Sequence, residues 1–265
     1  MGRLDLTRGA AAHAIALPTL ALSDDERALA QRTWLGRMKS EHVSARVFAA
    51  LVPQLMKAGI HDERLSAVVA MIEEELVHAR LCAAAVVALG GRPVVELEPG
   101  DLPDVPAHED AASPLEALLR NVLSICCLSE TIAVAQITSE REVMQDGPLG
   151  PMITRILADE VGHARFGWRL LEELAPELDE ATRMRLDRYL GVALRALAEH
   201  QLRTGGDPRF RSRPDLMALG VADALVLRVA AIETIERVIV PGLEALGFRA
   251  RAAWEPVRPA LWPEP

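Results

Sequence analysis

Apolar residues recur along this chain at intervals of three and four, and the alternating pattern that marks β-strands is missing. The periodicity predicts six helices. The first opens at Ser23-Asp24-Asp25, a capping sequence with acid in its first turn, and runs to about residue 57, where Ala58-Gly59 stops it. The second opens at His61-Asp62 and ends at Gly90-Gly91. Residues 92–113 carry too much Pro and acid to continue a helix, so they read as a long connection. A third helix, roughly 114–144, breaks at Asp146-Gly147-Pro148, and a fourth spans roughly 150–174. A fifth (about 179–203) and a sixth (about 215–246) follow, separated by Gly205-Gly206 and two prolines. The four prolines beyond residue 252 suggest an irregular strap or a loose end.

The organisation expected is an N-terminal extension (1–22), a four-helix unit (23–175), additional helices packed on it (176–250) and a Pro-rich tail (251–265). Composition supports helix. Half of the residues are hydrophobic, yet only one Tyr, four Phe and four Trp are present, so Ala, Leu, Val and Ile must build the core. A net charge of -9 argues against a nucleic-acid surface, which would carry a basic patch. Cys82, Cys126 and Cys127 are odd in number, contain adjacent residues and form no CxxC pair. That excludes a disulfide framework and a zinc ribbon, and points to a reducing cytoplasm. Asp5 and a thin basic region make the N-terminus a poor export signal. No uncharged apolar run reaches the ~20 residues of a membrane span.

Two segments repeat each other. "EEELVHARL" (73–81) aligns with "ADEVGHARF" (158–166), so Glu75 and His78 share one helix face, as do Glu160 and His163. Val68, Met71, Cys82 and Val86 flank the first pair, and Ile153, Ile156 and Leu157 precede the second, so both faces point inward. A buried Glu beside a buried His must be paired or bound to a metal. A single Glu-x-x-His is usually a solvated or structural pair, whereas two matched copies are a pattern. Glu130 is the only charge in "VLSICCLSETIAVAQI", and Glu41 lies midway along the first helix. Glu41 stands about 18 residues before the turn at Gly59 and Glu75 about 16 after it. Glu130 stands about 16 residues before Asp146 and Glu160 about 14 after it. Antiparallel helices rising ~1.5 Å per residue therefore bring all four glutamates to nearly one level.

One Glu from each of two helices, plus Glu-x-x-His from each of two others, is the ligand set of di-iron and di-manganese carboxylate proteins. Over roughly residues 24–175 the chain resembles this ferritin-like superfamily. The resemblance implies an all-α, ferritin-like four-helix bundle with a long crossover between helices 2 and 3, plus two additional C-terminal helices. It implies two Fe ions, with Mn or mixed Mn/Fe as alternatives, held by Glu41, Glu75, His78, Glu130, Glu160 and His163. Glu75 and Glu160 would bridge, Glu41 and Glu130 would each cap one metal, and each His would bind one. Mixed carboxylate and imidazole ligation suits iron or manganese better than calcium or structural zinc. Glu74 and Asp159 stand one turn from the histidines and would accept from their second ring nitrogens, across helices in related oxygenases. Cys82 and Cys126, each one turn from a ligand position, are either small buried hydrophobes or, with Ile156, a lining of the metal chamber. Arg80 and Arg165 are expected in ion pairs, His42 exposed, and Glu233 and Glu236 at a packing edge.

The activity implied is O2 activation by a non-haem di-iron oxygenase or oxidase acting on a small, apolar organic substrate. The ligand spacing is similar to that of aldehyde-deformylating oxygenases. The additional His of arylamine N-oxygenases is replaced here by Ile156, and the only Tyr, Tyr189, is far along the chain from His163. A ferroxidase, or a di-manganese catalase, would use a related ligand set. Expected partners are O2, the small-molecule substrate, an electron-donor protein and a second copy in a homodimer, with no nucleic acid and no membrane.

Overall fold

The first long helix begins where local chemistry starts it. Ser23 Oγ accepts from the Glu26 backbone N–H at 3.3 Å, and Glu26 Oε2 accepts from the Ser23 N–H at 2.9 Å, a reciprocal capping box. In the computed structural model, which describes residues 2–61, 63–102, 104–204 and 211–261, this helix (α2) spans Asp24–Lys57. Two short elements precede it, a strand β1 (Gly2–Asp5) and a helical turn α1 (Thr7–Ala11). Helix α3 (Glu63–Ala88) follows the turn at Ala58-Gly59 and packs along α2. Asp62, Gly205, Gly206, Pro263 and Pro265, on which some sequence expectations fell, lie outside the described residues.

Among its described residues the connection at 92–113 contains no α-helix, in line with its prolines, but it does contain a strand. Residues Val94–Leu97 (β2) pair antiparallel with β1 in the register Gly2↔Leu97 to Asp5↔Val94. The expectation that strands are absent is thus corrected. Four-residue strands carry too little alternation to be recognised, and their partners lie far apart in sequence. The pairing ties the N-terminal extension to the crossover, and α1 lies on α3.

The third helix runs from Pro114 to Met144, as α4 (Pro114–Val122), a π-helical segment (Leu123–Glu130) and α5 (Thr131–Met144). It is long and apolar enough to cross a membrane, and 67% of its most apolar stretch is buried inside the fold. Helix α6 (Gly150–Leu174) packs against α5 and the π segment. Helix α7 (Glu180–Thr204) opens on Asp179, whose Oδ1 accepts from the Thr182 N–H at 2.6 Å.

The expected sixth helix is broken in two. A short turn α8 (Pro214–Met217) ends at Gly220, whose φ of +86° favours glycine. Asp223 then caps α9 (Ala224–Thr234), accepting from the Leu225 N–H at 3.0 Å. A second π segment (Ile235–Ile239) leads into α10 (Val240–Ala245). The tail is not loose among its described residues. It forms α11 (Ala250–Trp254) and α12 (Arg258–Leu261), with Trp254, Val257 and Leu261 buried against the rest.

Buried apolar residues fall into two groups. One gathers Phe48, Leu51, Val68, Met71, Cys126, Ile132 and Leu170 with the C-terminal helices. The other gathers Trp34, Met38, Cys82, Val86, Ile153 and Ile156. Along α2, α3 and α6 the boundary falls between Met38 and Phe48, between Met71 and Leu81, and between Ile156 and Leu170. Glu41, Glu75, His78, Glu160 and His163 occupy that boundary.

Candidate metal centre

Four helical segments carry the polar layer between the two apolar groups. Helix α2 brings Glu41, α3 brings Glu75 and His78, the π segment ends on Glu130, and α6 brings Glu160 and His163. The i, i+3 spacing puts each Glu and His of α3 and α6 on one face. Both histidines are completely buried, and Glu75, Glu130 and Glu160 are buried with them. The Glu41 side chain retains 17% exposure, which makes its side of the layer the one nearer to solvent.

The side chains form two overlapping groups. Glu41, Glu75, His78 and Glu160 each offer one donor atom within 4.8 Å of the others, and Glu75, Glu130, Glu160 and His163 do the same. Glu75 and Glu160 belong to both. His163 Nδ1 faces Glu75 Oε1 at 3.1 Å and Glu160 Oε2 at 3.2 Å. His78 Nδ1 faces Glu160 Oε1 at 3.5 Å and Glu41 Oε2 at 3.7 Å. The two ring centroids are 6.0 Å apart.

The opposite nitrogens point outward to acids on the other helix. His78 Nε2 donates to Asp159 Oδ2 on α6 at 3.0 Å, and His163 Nε2 donates to Glu74 Oε2 on α3 at 2.9 Å. Each acid thus serves the histidine across from it, and each bond fixes its ring with Nδ1 turned into the layer. Phe48 backs His163 edge-on at 5.1 Å between centroids.

Without a cation this arrangement is costly. His78 Nδ1 and Glu75 Oε2 are buried with no hydrogen-bond partner, and buried polar atoms are rarely left so. Burial raises the Glu75 carboxyl well above the ordinary carboxylate value, and the charges of Glu41 and Glu160 add to the rise. Burial likewise raises Glu130, reinforced by Glu160. Burial works against charge on His78, but the facing carboxylates of Glu160 and Glu41 prevail and push it up to about 10. His163 follows the same balance, through Glu160, up to about 9. Glu160 is pulled down, its burial outweighed by the adjacent imidazoles of His163 and His78. Protons thus stand in for positive charge in the metal-free layer. Two divalent cations would satisfy the orphaned atoms and balance four carboxylates with two neutral imidazoles. The residues fit such ions, and the structure is a helical protein with a buried carboxylate–histidine cluster that can bind a metal.

The π segment packs closely on α6. At Gly167 a Cβ would stand 2.3 Å from Cys126 Cβ, so α6 and the segment touch at a position that only glycine permits. The widened turns place Cys126, Cys127 and Glu130 on the packed side, and such segments are frequent at functional sites. Cys82, Cys126 and Ile156 are all buried, Cys82 and Ile156 in one apolar group and Cys126 in the other. Burial raises the thiols of Cys82 and Cys126 well above the ordinary value, so both remain neutral. The described grooves lie elsewhere, between α7 and α11 near Met184, Arg188 and Ala253, and share no residue with the cluster.

Several peripheral expectations need correction. Arg80 and Arg165 form no ion pair among the described residues: Arg165 is exposed, and Arg80 instead lies against Gly9 of α1. His42 is half-buried rather than exposed, and burial lowers its pKa. Glu233 and Glu236 do stand at a packing edge: half-buried Glu236 accepts from Arg258 Nε at 2.6 Å and exposed Glu233 pairs with Arg237 at 3.2 Å. Phe48, Gly167 and an ion pair between half-buried Arg37 and buried Glu140 were not singled out from the sequence. Only Arg37 left a usable signal there, its spacing of one turn from Glu41. Compared with known protein families and with curated proteins, the sequence matches no family and no curated relative.

Proposed function

We propose that this chain is a di-iron carboxylate oxidoreductase of the ferritin-like class, which uses O2 to oxidise or oxygenate a small, apolar organic substrate. One observation carries the reading: two groups of four buried donors that share Glu75 and Glu160. A mononuclear site would need only one such group. Helices α2, α3, α5 and α6, with the long connection between the second and third of them, support a bundle of this class. Glu41, Glu75, His78 and Glu160 would hold one ion, and Glu75, Glu130, Glu160 and His163 the other. Iron or manganese held there would supply redox equivalents and a Lewis-acid centre. The chain's own part is to orient and to exclude water. Asp159 and Glu74 fix the imidazole orientation, Phe48 and the neutral thiols of Cys82 and Cys126 keep the layer dry, and Glu75 and Glu130 hold protons until cations displace them. An electron-donor protein would return the reducing equivalents that the substrate does not supply.

The test is to load metal-free protein with excess Fe(II) under argon, admit air, and count the iron retained while recording the optical spectrum. About two irons per chain, with a transient oxygen-dependent band, is the expected result and would justify a substrate search. Retention far beyond that would replace this reading with a ferroxidase. Peroxide disproportionation by the Mn-loaded protein alone would replace it with a catalase. No tight binding of either metal would end the di-metal reading.

A further inference from the structure

A second buried charged group flanks the cluster on its Glu41 side. Glu140 of α5 is buried, its side chain 6% exposed, and it accepts from Arg37 Nη2 of α2. Its other oxygen has no hydrogen-bond partner. Arg37 lies one helical turn before Glu41, on the same face of α2. The guanidinium therefore feels both carboxylates, Glu140 more strongly and Glu41 as well. Cys82, one turn after His78, is buried and feels the charges of Glu41, Arg37 and Glu140.

The position of Arg37 is itself enforced. Its guanidinium sits over the Trp34 ring, 4.9 Å from the centroid, a favourable stacking for a partly desolvated cation. Trp34 is completely buried and donates from Nε1 to the Leu219 carbonyl at 2.8 Å. Gly220, at φ +86°, closes against the same ring, where a Cβ would be 2.5 Å from Cζ2. The α8 turn, outside the four-helix unit, thus holds Trp34, which in turn holds Arg37.

Among the described residues no such ion pair faces the other group. There Glu130 and His163 are both buried, Phe48 backs His163, and His163 lowers the raised Glu130 carboxyl. The two groups of donors are alike in chemistry but unlike in surroundings. A positive charge near one of them opposes a divalent cation there, and the partial exposure of Arg37 and Glu41, 23% and 17% of their side chains, screens that repulsion and the carboxylate's attraction alike.

We propose that the Arg37–Glu140 pair makes the two cation positions unequal. Arg37 is a positioning and charge-balancing residue that keeps the Glu41/His78 position the weaker of the two and the second to fill. Glu140 limits that opposition by neutralising Arg37. The proposal rests on the di-metal reading above and adds an order of loading and the residues that set it.

The test is a Mn(II) titration of the metal-free full chain, following free Mn(II) by electron paramagnetic resonance, with a melting curve of every variant. The wild type should show two stepwise constants. Arg37→Met should tighten the second by about tenfold and Glu140→Gln should weaken it by about tenfold, the effect of one partly screened charge nearby. The first constant should stay within about threefold in both. Arg37→Lys, which keeps the charge, should behave as wild type. The double variant Arg37→Met/Glu140→Met replaces the pair by apolar groups, which folded proteins often tolerate, and should bring the two constants closer together than in the wild type. A pair with a merely structural role would weaken binding in both single variants, and that result, or equal changes in both constants, would overturn the proposal. A wild type holding fewer than two Mn(II) would instead remove the di-metal reading and this proposal with it.

Discussion

Glu41 and Glu160 are both carboxylates of the buried layer, yet replacing them should have different consequences. Glu41 belongs to one group of donors and Glu160 to both. Loss of an acid that merely orients a ligand typically costs about 10–100-fold in metal affinity. Loss of a direct carboxylate donor should therefore cost at least about 100-fold, which is about 2.7 kcal/mol. Glu41→Gln keeps the volume and removes one negative charge from one group, so one position should weaken by that factor while the other is kept. Glu160→Gln removes a charge from both, and weakens the contact with His163 Nδ1 at 3.2 Å to that of a neutral amide. The assay is equilibrium dialysis against Mn(II) at about ten times the weaker wild-type dissociation constant, with the protein-bound metal counted by mass spectrometry. At that concentration a site weakened about 100-fold is roughly one-tenth filled. Glu41→Gln should hold close to one cation per chain, and Glu160→Gln and Glu75→Gln clearly fewer. Circular dichroism melts would check that each variant is folded. Two cations retained by folded Glu41→Gln, or one retained by folded Glu160→Gln, would refute the assignment of shared and unshared donors.

Asp159→Asn and Glu74→Gln should each lower the affinity of one cation, that held by His78 and by His163 respectively, by about 10–100-fold. An equal loss at both positions in either variant would contradict the crossed pairing. Gly167→Ala should destabilise the chain by about 1–3 kcal/mol, because its Cβ has no space beside Cys126. That would lower the melting temperature by several degrees, and an unchanged melt would show that the α6 contact yields easily. In the metal-free protein His78 and His163 titrate at about 10 and about 9, against 6.5 when unfolded. The folded chain therefore binds more protons between those limits, and the stability these histidines contribute is full below pH about 6.5 and is lost as pH rises through about 9–10. The melting temperature of metal-free protein should fall across that window, and saturating Mn(II) should abolish the fall. A metal-free melt that rises with pH would exclude the protonated cluster.

The helix ends were legible because their chemistry is local. Ser23 with Glu26, Ser113 ahead of Pro114 and the stop at Ala58-Gly59 act within a few residues of themselves, so the starts and stops of the long helices need no tertiary information. The six residues of the layer were legible for a related reason. A three-residue spacing decides which side chains share a helix face, and distance from a turn decides their level.

Interactions between segments distant in sequence were not legible. Residues 2–5 and 94–97 pair over a separation that alternation in four residues cannot reveal. The break of the expected sixth helix depends on Gly220 taking a positive φ against Trp34, a contact across 186 residues. The close packing of the π segment on α6 depends on Gly167 standing beside Cys126. The crossed bonds from His78 to Asp159 and from His163 to Glu74 depend on how α3 and α6 face each other. Arg37 and Glu140 are ordinary surface-type residues until packing brings them together. The sequence by itself determined where the helices run and which donors face inward, because both follow from backbone periodicity. Only the tertiary structure decided how those donors divide into two groups and which charge flanks one of them, because burial and long-range packing set those distances.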